Sequence, residues 1–173
     1  MSSYVTSNSD TLVTVFGGSG FLGRHVVRAL AKRGYRIRVG VRRPELAGHL
    51  QPLGKVVQIH AVQANLRYPA SVEAATRGAG IVVNLVGILA GSGAQTFDAV
   101  HVKGAAAVAR AATAADARLV HVSAIGADAE SASAYARSKA AGEVAVREAS
   151  PESVIVRPSV VFGPEDDFTN RFA

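Results

Sequence analysis

The 173-residue chain contains no cysteine, which excludes disulfides and thiolate-held metals. Aromatic residues make up only 6% of it, and few stand among the basic residues where they could stack nucleobases. The longest apolar run, IVVNLVGILAG from Ile81, carries Asn84 and is too short to cross a bilayer. The opening MSSYVTSNSD has no basic patch followed by an apolar core, so it lacks the form of a secretory signal. These absences lead to the expectation of a soluble, cytoplasmic protein with no transmembrane segment and no nucleic-acid partner.

Lys and Arg number 19 against 13 Asp and Glu, a formal charge of +6. The basic residues are scattered, with small clusters at KRGYRIR and VRR, as a solvated surface would carry them. His25, His49, His60, His101 and His121 are not at ligand spacing and no carboxylate cluster accompanies them, so no metal site is expected. With 49% hydrophobic and 18% charged residues, the composition is that of a globular chain long enough to bury one core. Residues 1–173 are expected to form one domain, with 1–10 as a flexible tail.

Strand-like and helix-like segments alternate. TLVTVF, RIRVGV, KVVQIHAV, IVVNLVGIL, RLVHVS and SVIVRP are short apolar, β-branched runs. Between them, FLGRHVVRALAKRG spaces Leu22, Val26, Val27 and Leu30 at helical intervals and stops at Gly34. SVEAATRG, the alanine-rich FDAVHVKGAAAVARAATAAD and SAYARSKAAGEVAVREAS complete the helices. Continuous apolar strands alternating with helices predict a doubly wound, mainly parallel sheet.

The turn after the first strand reads GGSGFLG. Gly17, Gly20 and Gly23 fit G-x-x-G-x-x-G, while Gly18, Gly20 and Gly23 fit G-x-G-x-x-G. In either register the chain turns sharply, the backbone can approach a ligand, and a helix N-terminus faces a diphosphate. The second strand ends at Arg42 and Arg43, where an NAD-selective site places an acid. A guanidinium instead suits a 2′-phosphate, which favours NADP(H) over NAD(H). Further along, Tyr135 and Lys139 in YARSK lie on one helix face, where an ammonium would lower the phenol's proton affinity. Ser123, at the end of the fifth strand, is the second candidate partner for a reacting oxygen.

GGSGFLG, NLVG, HVSAIGA, YARSK and VIVRPSVVFGPED, in that order, resemble the short-chain dehydrogenase/reductase superfamily in its extended branch of nucleotide-sugar epimerases and dehydratases. The last forty residues are most similar to the branch containing the nucleotide-binding accessory subunit of respiratory complex I and its bacterial relatives. The resemblance implies a dinucleotide partner and an unidentified small-molecule substrate. It assigns Gly17, Gly20, Phe21, Leu22 and Gly23 to the diphosphate and Arg42 and Arg43 to the 2′-phosphate. Asn65 and Leu66 would lie near the adenine, Val86 and Gly87 beside the cofactor, and Pro158 to Val160 past the nicotinamide. Ser123, Tyr135 and Lys139 would be the catalytic group, Tyr135 and Lys139 also binding cofactor. Ala64 and Asn65 stand where relatives carry an acid, and His101 replaces an Asn of the usual proton-relay path. Extended members continue past GPED into a substrate-binding part, which this chain, ending at Ala173, is expected to lack. Two functions follow: an oxidoreductase or epimerase, or a non-catalytic nucleotide-binding accessory protein peripheral to an inner-membrane complex.

Overall fold

The computed structural model describes residues 7–166. Its elements are β1 (Leu12–Phe16), α1 (Phe21–Lys32), β2 (Arg36–Val41), β3 (Ile59–Gln63), α2 (Pro69–Thr76), β4 (Ile81–Asn84), α3 (Ala105–Ala114), β5 (Arg118–Val122), α4 (Ala134–Ala149) and β6 (Val154–Val156). All six strands are parallel, in the order β3-β2-β1-β4-β5-β6. This is the doubly wound sheet that the alternation predicts. The strand order reverses between β1 and β4, so their C-terminal ends diverge and leave a crevice.

The period-2 alternation of β1 divides the core. Val13 and Val15 pack with Val27, Ile37, Val39 and Leu50 on one face; Phe16 packs with Val72, Val82, Val108 and Leu119 on the other. Thr14 shares the second face and donates from Oγ1 to the Ala75 carbonyl at 3.0 Å, which satisfies a fully buried hydroxyl. α3 buries seven of its ten residues, six of them alanines. Such small side chains let it lie close to its neighbours.

Four segments differ from the sequence expectations. The fourth strand, expected over IVVNLVGIL, ends at Asn84, because the chain there leaves the sheet to form the wall of the crevice. The third strand begins at Ile59 rather than Lys55, because Gln58 closes a turn onto Lys55 and Val57 has φ 58°. Pro44–Leu53 forms a 3-10 helix. The long alanine-rich helix opens as a π-helix, Asp98–Gly104, before α3. Of the expected tail, Asn8–Asp10 form a 3-10 turn capped by Ser7, and Asn8 Nδ2 donates to the Arg33 carbonyl at 2.8 Å. Residues 1–6 lie outside the described residues. After β6 the chain returns over the start of α1, where Arg24 pairs with Glu165.

The π-helix and α4 meet backbone to backbone. A Cβ built on Gly142 would stand 2.2 Å from the His101 carbonyl oxygen, whereas one on Gly48 would meet nothing within 4 Å. Gly142→Ala is therefore expected to destabilise the protein by about 1–3 kcal/mol. Gly48→Ala should be neutral or stabilising by up to about 1 kcal/mol. Thermal denaturation of the two variants checks the contrast.

Candidate functional site

The crevice starts at the glycine turn. Gly17 has φ +79°, a conformation costly for any residue with a Cβ. A Cβ on Gly23 would lie 2.2 Å from the Gly17 carbonyl oxygen, so α1 begins pressed against the strand end. The N-cap of α1 is Gly20, no side chain caps the helix, and its first turn holds no acid. Its positive end therefore faces the crevice unneutralised, ready for an anion.

A cavity of about 290 Å³ runs from this turn along Gly40, Val41 and Arg42, past Ala64 to Arg67, to Leu85–Ile88. Arg42, Asn65, Leu66, Val86 and Gly87 stand in its wall, together with Gly17 and Gly20. Arg43 does not; it stands at the N-terminal end of the 3-10 helix and is exposed. Gly23 is buried as a packing contact, Phe21 lies against His25 at 5.5 Å between rings, and Leu22 faces a second cavity. Among the lining residues none is a carboxylate. Ser19, Arg67, Gln95 and Val100 complete the wall; none was a candidate from the sequence, although Ser19 lies inside GGSGFLG.

The second cavity, about 550 Å³, shares Leu85, Val86, Gly87 and Ile88 with the first. Ser123, Tyr135, Lys139, Pro158 and Val160 line it, so the structure gathers the predicted catalytic group and the segment past β6 in one place. The remaining wall is largely apolar, and Leu89, Ile125 and Val160 are exposed around it.

The chemistry of the three candidates differs from the expectation. Burial pushes the Tyr135 phenol above its usual proton affinity, the reverse of the expected lowering. Lys139 does not supply the offsetting charge: its Nζ donates to the Val122 carbonyl at 3.0 Å, and burial lowers the ammonium while Glu143 works against that. Ser123 Oγ is sealed from solvent and forms no well-aligned hydrogen bond; it lies toward Glu143, whose carboxylate form it favours.

Behind these residues runs a polar seam that the motifs did not reveal. Burial works to raise the Glu143 carboxyl, but the Arg157 guanidinium and the Ser123 hydroxyl hold it below the usual range. Arg157 grips it with two bonds, Nε at 2.9 Å and Nη2 at 2.6 Å. Tyr135, Lys139 and Glu143 are spaced by four, and that spacing was a readable signal for the third member. Asn84 accepts from the Val86 N–H with Oδ1 at 3.1 Å, which turns its Nδ2 toward His121 Nδ1, also at 3.1 Å. A polar residue closing an apolar strand, IVVN, marked Asn84.

His101 ties the parts together. Its Nε2 accepts the Ile88 N–H at 3.0 Å, so its proton sits on Nδ1 and goes to Ser138 Oγ at 2.9 Å. Ser138 Oγ in turn donates to the Tyr135 carbonyl at 2.7 Å. The ring stacks on Phe97 at 5.3 Å and meets the Tyr135 ring edge-on at 5.6 Å. The shared wall of the two cavities is thus bolted to the helix that carries Tyr135.

Three comparisons bear on this geometry. The family model described as the NAD dependent epimerase/dehydratase family matches residues 13–173. The chain is 40% identical over 165 residues to a ceramide reductase of Caulobacter vibrioides, covering 95% of this chain and 51% of that one. It is 37% identical over 170 residues to mouse NADH dehydrogenase (ubiquinone) 1 alpha subcomplex subunit 9, mitochondrial, covering 97% and 45%. The chain therefore spans about half the length of the curated relatives it matches. The X-ray structure of Pen from Bacillus thuringiensis superposes with a TM-score of 0.71 at 23% identity, over 89% of this chain and 51% of that one, a likeness of fold.

Burial, aided by the Lys139 charge, lowers His101 to about 4 and His121 to about 4. Unfolded histidines gain protons near their ordinary value, so between there and pH 4 the unfolded chain binds more protons than the folded one. Stability should be full at neutral pH and fall as pH drops from about 6.5, by on the order of 2–5 kcal/mol for the pair. Melting temperature followed against pH checks this. A midpoint unchanged from pH 7 to 4.5 would contradict the buried neutral histidines.

Proposed function

The chain belongs to the NAD-dependent epimerase/dehydratase family, and from that premise we propose that it is an NADP(H)-using reductase of carbonyl compounds with Tyr135 as proton donor. A nicotinamide dinucleotide is the cofactor of this family, and the crevice has the features to take one. Its glycines leave the backbone bare, the helix end is uncapped, and no carboxylate stands in the wall to repel a phosphate. Gly17 and Gly20 would hold the diphosphate, Arg42 the 2′-phosphate, and Val86 and Gly87 the path between the halves. When bound, the cofactor supplies or takes up a hydride.

The observation that carries the reading is the wall common to both cavities. A ligand extended from the glycine turn along Leu85–Ile88 would end beside Tyr135 and Lys139. A phenol is protonated at neutral pH and so is in the form that gives a proton rather than takes one. The burial that raises its proton affinity makes it the weaker acid, a cost that a bound cofactor would have to offset. In the reducing direction the carbonyl carbon gains the hydride and its oxygen takes the proton of Tyr135 Oη, leaving an alcohol and a phenolate. Lys139 is assigned to the ribose of the nicotinamide half. The apolar second cavity favours a substrate with an apolar body over a nucleotide sugar, and the name of the ceramide reductase relative points the same way.

A second reading, a non-catalytic nucleotide-binding accessory protein, is favoured by one observation: the Ser123 hydroxyl is turned inward and closed off from a substrate. The likeness to a subunit of mitochondrial NADH dehydrogenase supports it and brings a membrane complex as partner. Among the described residues no helix is long and apolar enough to cross a membrane.

Titration with NADPH and NADH tests the cofactor assignment. Charge-assisted hydrogen bonds of about 1.5–3 kcal/mol predict at least about a tenfold preference for NADPH, reduced in Arg42→Ala. Equal affinities in the parent protein would contradict it. Tyr135→Phe separates the two readings: with lipid-like ketones and NADPH, turnover should fall by about two to four orders of magnitude while NADPH affinity stays nearly unchanged. A parent protein that binds NADPH but reduces no such ketone would leave the accessory reading standing.

A further inference from the structure

We propose that Arg67, in the turn after β3, is a second specificity-determining cation for the adenosine 2′-phosphate, acting with Arg42. The inference rests on the NADP(H) reading above. β2 and β3 are neighbours in register, Val41 against Gln63, and Ala64 N–H donates to the Val41 carbonyl at 2.8 Å. Arg42 leaves the end of one strand and the turn 65–68 leaves the end of the other, so two arginines line the same small cavity from adjoining strand ends. No carboxylate stands in that wall, and neither arginine has an ion pair among the described residues. A doubly charged phosphate placed in that wall would meet two cations and no opposing carboxylate.

The turn is built to hold Arg67. Asn65 Oδ1 accepts the Arg67 N–H at 3.1 Å, Ser71 Oγ accepts the Asn65 N–H at 3.0 Å, and Tyr68 N–H closes onto the Asn65 carbonyl at 2.8 Å. The Arg67 guanidinium lies over the Tyr68 ring, 5.5 Å from its centre, which limits the rotamers it must give up on binding. Asn65 thereby acquires a role: its side chain holds the Arg67 backbone in the turn and brings no negative charge into the cavity wall.

The test is direct titration of the chain with NADPH and with NADH, before and after Arg67→Gln. The expected result is about a tenfold weaker NADPH complex and an NADH affinity within about twofold of the parent. The weakening should shrink as salt rises. Equal losses for both dinucleotides would assign Arg67 to the adenine instead and overturn the proposal, as would no loss for either. A parent protein without NADPH preference would fail the cofactor reading itself, a separate outcome. Arg67→Lys keeps the charge and loses the fork, so it should weaken NADPH severalfold and leave NADH alone; it carries the test if Arg67→Gln does not fold.

Discussion

The fold and the site both depend on a backbone contact without side chains. α1 starts where it does because Gly23 lies against the Gly17 carbonyl, too close for any Cβ. That contact aims the uncapped end of α1 into the crevice between β1 and β4. Gly17 also approaches the loop after β4, where its Cβ would stand 3.2 Å from Val86. The helix end, the strand end and the wall common to both cavities are therefore set by one small volume. A larger residue there would displace all three together.

The rear of the site is held by hydrogen bonds of buried polar groups. Such groups are costly unless paired, and most of these are. Asn84 spends its amide on Val86 and His121, and His101 spends both ring nitrogens on Ile88 and Ser138. Glu143 takes the Arg157 fork. The seam joins β4, β5, the π-helix, α4 and the segment after β6 without a covalent link. It also explains why Lys139 does not lower the Tyr135 phenol: Lys139 donates to the Val122 carbonyl within the seam, while Tyr135 is buried in the aromatic cluster in front of it.

Much of this was legible in the sequence. Six apolar runs gave strands, the bare glycines placed the turn, and the four-residue spacing put Tyr135 and Lys139 on one face. Other features were set by interactions that no local pattern encodes. Val56 and Val57 look like strand yet are 92% and 73% exposed in a turn, because Gln58 closes it from outside. The π segment is hidden in an alanine-rich run, and the residue it packs against, Gly142 beside the His101 carbonyl, lies far along the chain. Ser123 was placed correctly at its strand end, but the side its hydroxyl faces depends on Glu143 in another element. Arg67 carries no motif; it matters because β3 adjoins β2.

The central claim is that the bare backbone from Gly17 to Gly23 receives the diphosphate of a dinucleotide. Hydrogen–deuterium exchange with and without saturating NADPH tests it most directly. The account predicts slower exchange in the peptides spanning residues 17–23 and 85–88, with residues 113–118 and 150–152 on the opposite side unaffected. Unchanged exchange at 17–23 in a protein that binds NADPH would contradict it.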